Sequence, residues 1–578
     1  MRSSLLIQFQ FITILSLLCC HNSPITAEAL DVHVSMFGAI PDDGLDDCLA
    51  IQKAIDRCAS QPGCRLIFDK GQYEIQEENP ESEIKHLSFE GVKDLQVIGN
   101  GMELLCSGQV YPFSLAHCKG ISFENLSIDW KRVPWSVGEI RSVSGTELII
   151  AVEPDFPVDG TEPAVAINEF EPATRLPKAG GQEIYYDIEQ PVLAGPQTLK
   201  ITLKKPVPFA PGSLAVIRHR VYGLNAFVIQ DCAGVAIHDV TIFCTPGMGV
   251  FSDSSRDLSL DRVRVLVRPG TRRAMSTTAD ATHFISSRGS IRIENSIFEG
   301  MGDDAVNVHG FYLRMTELIG EKTVAARHTN GFHAVPRKGD ILEFTSADSV
   351  MCYATRTVES ATVDGPIHRI TLADPIPTEA RIGDVLGNAS SVPKLEIRNC
   401  IVRNNRARGF LVQTRGALIE HNRFEGCTGG GIFVTCDSGY WSESIATRDV
   451  MIRENQFTGC NMGVALAEGV ISIFAHVKDF HQAQLPGVHR NLRIENNQID
   501  GGFNSGIFIS ASDGVLVSHN QIKNFSQSPT CEAGKFPIYI QASTRVTLRN
   551  NQIQGLPENS PGYEIGSGCP EGSVKLEP

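Results

Sequence analysis

A five-residue pattern recurs along this chain and constrains its fold more than any other feature. Each copy has a central asparagine between mostly polar residues and ends in Ile or Phe; the clearest copies occupy residues 293–297, 397–401, 420–424, 453–457, 495–499, 518–522 and 549–553. Successive copies are mostly about 22 to 33 residues apart, and their alternating apolar positions are typical of strands. Asparagine tolerates the left-handed backbone of a turn, and stacked asparagines can bridge neighbouring coils. The repeat therefore predicts an all-β fold, a right-handed parallel β-helix.

Two stretches interrupt the repeat and resemble each other. Residues 201–208 (ITLKKPVP) are echoed by residues 370–377 (ITLADPIP), and each is followed by a glycine ahead of another strand pattern. Because both stretches are rich in alternating strands and Gly/Pro turns, we predict two related small β-barrel domains inserted into loops of the coil. Their predicted bounds are 134–220 and 312–392. The coil is then divided into residues 30–133, 221–311 and 393–578.

The N-terminus predicts export. A basic residue precedes an apolar run at 5–20, and an Ala-x-Ala cleavage motif ends at Ala29. This predicts a secretory signal peptide at 1–29, with a lipoprotein anchor at Cys19 or Cys20 as the alternative. No other stretch reaches the roughly 18 apolar residues of a membrane span. The mature protein is expected to be periplasmic, secreted or at the cell surface, without stable membrane insertion.

One helix is predicted near the start of the mature chain. Residues 48–59 place apolar side chains on a single helical face, and Asp47 precedes them as an expected N-cap.

Three aspartates come together if the coil has the period given above. Asp303 and Asp304 are adjacent, and Asp280 lies 23 and 24 residues earlier. Residues one turn apart stack about 4.8 Å apart, so Asp280 is predicted one rung below the pair. Crowded carboxylates raise one pKa and keep an acid beside ionised neighbours. That combination suits glycoside hydrolysis; for an isolated Asp-Asp pair, a solvated turn is the alternative.

The residues around these acids resemble glycoside hydrolase family 110, the α-1,3-galactosidases that remove terminal galactose from blood-group-B and related glycans. The matching stretches are 128–135 (IDWKRVPW), 279–284 (ADATHF) and 300–310 (GMGDDAVNVHG). The resemblance extends over essentially the whole mature chain, including the interruption of a coil by two barrels. It implies exo-acting hydrolysis with inversion of configuration, and it implies no metal and no other cofactor.

The resemblance also implies roles for the acids. By position, Asp303 corresponds to the general acid, and Asp280 with Asp304 to the pair that holds the attacking water. The order within the adjacent pair is the weaker part of this correspondence. Inverting enzymes usually place their two carboxyl groups about 6.5–9.5 Å apart.

Further residues near the acids are candidates for binding the sugar. Trp130 is expected to stack on the apolar face of galactose. The candidates for hydrogen bonds to sugar hydroxyls are His283, Asn307 and His309. For each of these four residues, a purely structural role in the coil is the alternative. Tyr440 and Trp441, in a long loop, are expected to shape the aglycone side.

Other functions stay open on the sequence alone. A polygalacturonase shares the acid layout, but a uronate requires cations near the site, and that family's Arg-x-Lys motif is not evident. A pectate lyase would need calcium and an arginine base, and a non-catalytic β-helix adhesin would not need three crowded carboxylates. The formal net charge of −15 argues against a nucleic-acid partner. The expected partner is an oligosaccharide or glycoconjugate with terminal α-galactose, and the inserted domains would let two copies form a homodimer.

Overall fold

The computed structural model describes most of the chain. The described residues are 30–76, 87–328, 334–463, 469–477, 484–527, 536–556 and 561–578. The predicted signal peptide at 1–29 lies outside them. Within these ranges, no helix has the length and apolar character required to cross a membrane.

The N-terminal coils contain both short and long strands. The strands are β1 Asp31–His33, β2 Arg65–Ile67, β3 Gln72–Gln76, β4 Ser88–Glu90, β5 Lys93–Ser107, β6 Phe113–Ala116 and β7 Lys119–Trp130. A 3₁₀ turn at Val34–Phe37 follows β1, and helix α1 spans Cys48–Ala59, the bounds predicted from its apolar face. The Asp47 carboxylate makes no bond within α1; it accepts the backbone N–H groups of Ile40 and Glu74, both at 3.0 Å. The predicted cap is therefore wrong in its chemistry, because one loop N–H and one strand N–H occupy the carboxylate oxygens.

The first insertion is an antiparallel sheet. Its strands are β8 Trp135–Ser144, β9 Glu147–Val152, β10 Ala166–Phe170, β11 Glu183–Tyr185, β12 Val192–Gly195, β13 Thr198–Thr202 and β14 Leu214–Arg218. They follow the spatial order β11-β10-β14-β8-β9-β13-β12. The two edge strands do not pair with each other among the described residues, so this sheet is open where a closed barrel was expected.

The middle coils carry the predicted acids. Their strands are β15 Phe227–Gln230, β16 Ala233–Ile242, β17 Val250–Asp253, β18 Arg256–Asp261, β19 Arg264–Val265, β20 Thr282–Ile285, β21 Arg288–Glu294, β22 Ile297–Glu299 and β23 Val306–Ile319. Successive coils pair in parallel, as in β15–β17–β20–β23 along one face and β16–β18–β21 along another. This is the parallel β-helix that the repeat predicts.

The second insertion closes into a barrel. Its further strands are β24 Thr323–Arg327, β25 Ile341–Thr345, β26 Cys352–Asp364, β27 Ile367–Leu372 and β28 Val385–Asn388. Antiparallel pairing runs β23-β24-β27-β26-β25-β28 and returns to β23. The predicted boundary at 312 falls inside β23, because residues 306–309 pair with the coil and residues 312–319 pair with the barrel.

The C-terminal coils complete the molecule. Their strands are β29 Lys394–Arg398, β30 Ile401–Arg403, β31 Phe410–Val412, β32 Arg415–Glu420, β33 Arg423–Glu425, β34 Ile432–Val434, β35 Glu443–Ser444, β36 Arg448–Arg453, β37 Gln456–Thr458, β38 Gly469–Ile473, β39 His489–Glu495, β40 Gln498–Asp500, β41 Ser505–Ile509, β42 Ser512–Ser518, β43 Gln521–Lys523, β44 Ile538–Ile540, β45 Thr544–Arg549, β46 Gln552–Ile553, β47 Glu564–Ile565 and β48 Val574–Glu577. Their apolar residues fill the inside of the coil, where Phe424 and Phe457 stack with ring centroids 4.7 Å apart.

The recurring asparagines have two separate roles. Five of them form a buried ladder, in which each side-chain amide donates to the Oδ1 of the next at 2.9–3.0 Å; they are Asn422, Asn455, Asn497, Asn520 and Asn551. The residue before each ladder position has a left-handed backbone, with φ of 57° at Glu454 and 56° at His519. Asn295 and Asn399 occupy that preceding position, with φ of 51° and 56°. The ladder gives every buried amide a partner and ties consecutive coils together.

Candidate active site

The acids precede two neighbouring strands of one face of the coil. Strands β20, β23 and β31 pair in parallel with Thr282 opposite Val306 and Val306 opposite Phe410. The residues two positions before these partners are Asp280, Asp304 and Arg408. They therefore stack in one column on three successive rungs, with the arginine above the two carboxylates. Asp303 lies one residue before this column, in the bend that leads into Asp304.

Gly302 lets the two rungs approach closely at this point. A Cβ at this position would lie 2.4 Å from the carbonyl oxygen of Thr278 and 2.6 Å from Nη1 of Arg218. The fully buried Arg218 guanidinium donates to the carbonyls of Thr278 and Gly302 at 2.7 and 3.1 Å. Arg218 ends β14 of the first insertion, so that domain holds the turn carrying the acids.

The three carboxylates form a buried cluster. Asp280, Asp303 and Asp304 are 3%, 8% and 1% exposed, and one oxygen of each lies within 4.8 Å of the others. The backbone N–H of Asp304 donates to Oδ1 of Asp280 at 3.2 Å. The spacing predicted from the repeat thus brings the acids together, but these oxygens are closer than the 6.5–9.5 Å usual for inverting pairs.

Arginines from the next rung neutralise the cluster, and the sequence analysis did not identify them. Arg408 donates to both oxygens of Asp304, from its backbone N–H at 3.0 Å and from Nη2 at 2.7 Å. Arg406 donates to Asp303 at 3.2 Å and makes a bidentate pair with Glu183 at 2.8 and 2.9 Å. The pattern Arg-Ala-Arg was visible, but 104 residues and a whole inserted barrel separate Arg408 from Asp304.

The arginines divide the three carboxyl groups by their pKa. Burial alone would raise the pKa of Asp303, but Arg406, Arg408 and Arg218 outweigh it and leave that pKa below its ordinary value. Burial raises the pKa of Asp280 and Asp304 well above the ordinary range, and the charge of Asp303 adds to both. In the free protein, the cluster therefore keeps a proton on the Asp280–Asp304 side while Asp303 is ionised.

The donor set fits proton transfer better than metal binding. The three carboxylates are close enough to share a cation, yet Arg408 and Arg406 already occupy oxygens of Asp304 and Asp303. A divalent ion would have to displace these guanidinium groups or lie beside them, and either arrangement costs electrostatic free energy. We assign no metal to these residues.

The two predicted sugar-binding histidines have their ring nitrogens engaged by the protein. Nδ1 of His283 lies 2.6 Å from Oδ2 of Asp280, and its Nε2 lies 2.8 Å from Nε2 of His309. Nδ1 of His309 is 2.8 Å from the carbonyl oxygen of Gly310. Both ring nitrogens of each histidine are thus already engaged by the protein, and the prediction that they bond sugar hydroxyls stays a prediction.

The other two candidates differ from each other. Trp130 is 1% exposed and its indole N–H donates to the carbonyl of Gly108 at 3.3 Å, so no ring face is open for stacking and that prediction is corrected. Asn307 is 4% exposed, and its Oδ1 has no hydrogen-bond partner among the described residues. An unpaired buried acceptor costs free energy, so Asn307 keeps its candidacy as a hydroxyl contact.

Exposed aromatic side chains surround the acids. The hydroxyl of Tyr222 donates to Oδ2 of Asp303 at 2.9 Å, and this ring is 42% exposed. Tyr186 of the first insertion is close enough to Asp303 and Tyr440 for both to raise its pKa, after burial as the main cause. Trp441 packs edge-on against Tyr440 with centroids 4.8 Å apart. These four rings come from different parts of the chain and offer apolar faces of the kind that sugars stack on.

Comparison with known proteins identifies a family model and several relatives that this chain resembles. A family model described as "Right handed beta helix region" matches residues 385–555. The chain is 30% identical to alpha-1,3-galactosidase B of Bacteroides thetaiotaomicron, over 93% of this chain and 93% of that protein. It is 28% identical to alpha-1,3-galactosidase B of Akkermansia muciniphila (90% and 69% covered) and 26% identical to alpha-1,3-galactosidase A of Bacteroides fragilis (91% and 92% covered).

Proposed function

The chain belongs to the α-1,3-galactosidase family, and from that premise we propose that it is a glycoside hydrolase that releases terminal α-1,3-linked galactose from glycans such as the blood group B antigen. The observation that carries the proposal is the buried cluster of Asp280, Asp303 and Asp304, whose oxygens lie within 4.8 Å of one another. One protonated carboxyl group and one ionised carboxylate are what glycosidic cleavage requires.

The proposed roles follow the two sides of the cluster. Asp280 and Asp304 stand in one column and hold the attacking water between them. Asp303 stands apart from that column, is the most exposed of the three, and protonates the leaving oxygen. Because Asp303 is ionised in the free site, with its pKa below the ordinary value, this assignment requires Asp303 to take up a proton of its own when the substrate binds.

We propose inversion of configuration and exo action. Both oxygens of Asp304 accept from Arg408, and the two oxygens of Asp280 are engaged by the backbone N–H of Asp304 and by His283; each oxygen keeps a lone pair that can orient a water molecule. Carboxylates held in this way suit a bound water better than an ester. The first insertion and the Trp441 loop flank the acids, which supports cleavage at a chain end. Asn307 would donate to or accept from a galactose hydroxyl.

One experiment tests activity and mechanism together. Branched B-type and linear α-1,3-galactosides are incubated with the enzyme, and the first-formed galactose anomer is followed by NMR. Release of β-galactose is expected, and α-galactose as first product would overturn inversion. Release of galactose from neither substrate would overturn the function.

A second experiment tests the acid. Asp303→Asn should lower turnover of the disaccharide by about 10²–10⁴-fold while galactose still binds. Turnover of an activated aryl α-galactoside by the same variant should fall far less, because its leaving group needs no proton. Asp304→Asn is the matched variant and should lose activity on both substrates. The reverse pattern would exchange the two roles.

A polygalacturonase is less well supported. Arg406 and Arg408 are cations near the site, but both are already paired, with Glu183 and Asp303 and with Asp304 respectively. An incoming uronate would meet the carboxylates before it met a free guanidinium. Export through the segment at 1–29 and assembly as a homodimer are also proposed, the first from the sequence of that segment and the second from the projecting insertions.

A further inference from the structure

A chain of four hydrogen-bonding groups runs away from the acids into the protein. It begins at Asp280, passes through His283 and His309, and ends at the carbonyl of Gly310, with heavy-atom distances of 2.6, 2.8 and 2.8 Å. Every group is buried: Asp280 is 3% exposed, His283 9% and His309 2%. Water therefore has little access to supply or remove hydrogens along the chain.

The carbonyl end determines where the hydrogens are. An oxygen of a peptide group only accepts, so Nδ1 of His309 carries hydrogen. If His309 is neutral, its Nε2 has a lone pair and Nε2 of His283 must donate. If His283 is neutral as well, its Nδ1 has a lone pair and Oδ2 of Asp280 must carry the hydrogen. Removing that hydrogen would leave two acceptors face to face at 2.6 or 2.8 Å.

Three arrangements satisfy all three bonds, and they differ only in the position of one proton. The proton resides on Asp280, or on His283 as an imidazolium, or on His309 as an imidazolium. Each arrangement has the same net charge of zero over the three side chains. Moving the proton shifts hydrogens within existing hydrogen bonds and breaks none of them.

We propose that Asp280, His283 and His309 share one mobile proton, and that the two histidines are positioning residues that switch Asp280 between acid and base without losing that proton to solvent. The proposal deepens the hydrolase function proposed above, on which its catalytic meaning rests. In the substrate complex, the proton on Oδ2 of Asp280 passes to Nδ1 of His283. Asp280 is then a carboxylate that can accept a proton from the attacking water.

Charged neighbours define both ends of this transfer. The charged groups that face the histidines are Asp253, Asp303, Arg408 and Glu443. Oε1 of Glu443 lies 3.6 Å from Nε2 of His309, so its negative charge stabilises the arrangement with the proton on His309. Burial lowers the pKa of His283 to about 4 and also lowers that of His309. In the free protein, the proton is therefore on Asp280.

The positions of hydrogen along these hydrogen-bonded groups can be measured directly, in protein without substrate. In protein labelled with ¹⁵N-histidine, ring nitrogen shifts distinguish the two neutral tautomers from the imidazolium, and His283→Gln and His309→Gln variants assign the signals. At pH 7, we expect a neutral His309 with hydrogen on Nδ1 and a neutral His283 with hydrogen on Nε2. A neutral His309 with hydrogen on Nε2, which none of the three arrangements contains, would overturn the proposal.

Two matched variants test the consequence for catalysis. His283→Asn keeps a donor near the Nδ1 position beside Asp280 but cannot take up a proton, whereas His283→Gln keeps the group near Nε2 and loses the bond to Asp280. In His283→Asn, the acidic limb of the kcat/KM profile should move down by about one pH unit, because an amide donor stabilises the carboxylate form. In His283→Gln the limb should not move down, and KM should stay within about twofold in both.

Binding of galactose by the two histidines would change the kinetic constants in a different way. If the histidines bind galactose hydroxyls, KM would rise sharply in both variants with the acidic limb unmoved, and the proposal would be wrong. His489→Asn, which removes another buried ring of the coil, controls for general loss of packing. If the wild-type protein releases no galactose, the proposed function fails, while the ring nitrogen shifts still decide whether the proton chain exists.

Discussion

Replacing Arg408 with methionine should move the pH dependence of catalysis. In the protein, Nη2 of Arg408 donates to Oδ2 of Asp304 at 2.7 Å, and the backbone N–H of the same residue donates to Oδ1 at 3.0 Å. Methionine keeps an unbranched apolar stem but loses the guanidinium, whose central carbon lies 6.0 Å from the centre of the Phe433 ring; the backbone bond does not depend on the side chain. The variant therefore removes one charge-assisted bond and one positive charge from a carboxylate that is 1% exposed.

The magnitude follows from that single bond. Hydrogen bonds to charged groups contribute about 1.5–3 kcal/mol. The Arg408 side chain is 32% exposed, so water replaces part of the loss and we take about 1.5 kcal/mol, the lower end of that range. A pKa unit corresponds to about 1.4 kcal/mol, which raises the pKa of Asp304 by about one unit.

The assay is kcat/KM for a terminal α-1,3-galactoside across pH 4–9. Asp304 must be ionised to help hold the attacking water. The acidic limb of the kcat/KM profile should therefore move up by about one pH unit, and the activity lost at low pH should be recovered at higher pH. Arg408→Lys keeps the charge and should move the limb less. An equal loss of activity at every pH in the methionine variant would refute the electrostatic role of Arg408.

Three further predictions follow from the same site. Asp280→Asn should stabilise the protein progressively above about pH 4. The folded wild type keeps a proton that the unfolded carboxyl loses, so its free energy of unfolding falls with rising pH by about 1.4 kcal/mol per unit up to the raised folded pKa. Urea unfolding of both proteins at pH 4 and pH 8 measures this, and an effect of the substitution that is equal at the two pH values would contradict it. Gly302→Ala should cost about 1–3 kcal/mol and most of the activity, since its Cβ would contact Thr278 and Arg218 at 2.4 and 2.6 Å; Gly195→Ala, whose Cβ would have only Thr198 at 4.0 Å, is the control. A chelator should leave the rate unchanged, and restoration of a lost rate by added calcium would contradict the assignment of the cluster to proton transfer.

The repeat determined most of the architecture. In a parallel β-helix, spatial neighbours are set by spacing in the chain, because each coil pairs with the next in register. That is why the position of Asp280 beside Asp303 and Asp304 could be predicted from a period alone. The helix at 48–59 and the second inserted barrel followed from local patterns in the same way.

The rest of the site depended on contacts that spacing does not encode. Arg408 reaches Asp304 because the inserted barrel between them leaves the coil, and the strands on either side of it pair as neighbouring rungs. Arg218 reaches Gly302 because the first insertion folds back onto the coil. The burial of Trp130 was equally invisible, since a strand pattern does not say which end of a strand is covered. The first sheet is open because its two edge strands do not pair, and the alternation of side chains along a strand does not predict which strands pair.

The chain by itself determined that three carboxylates meet, because their separation along a regular coil is a property of the sequence. Only the tertiary structure decided their protonation. Asp303 has a lowered pKa and Asp280 and Asp304 have raised ones, since charge and solvent exclusion come from residues of the next rung, an inserted domain and a loop. The directions of the hydrogen bonds through His283 and His309 depend in turn on a single backbone carbonyl, and its position exists only in the folded protein.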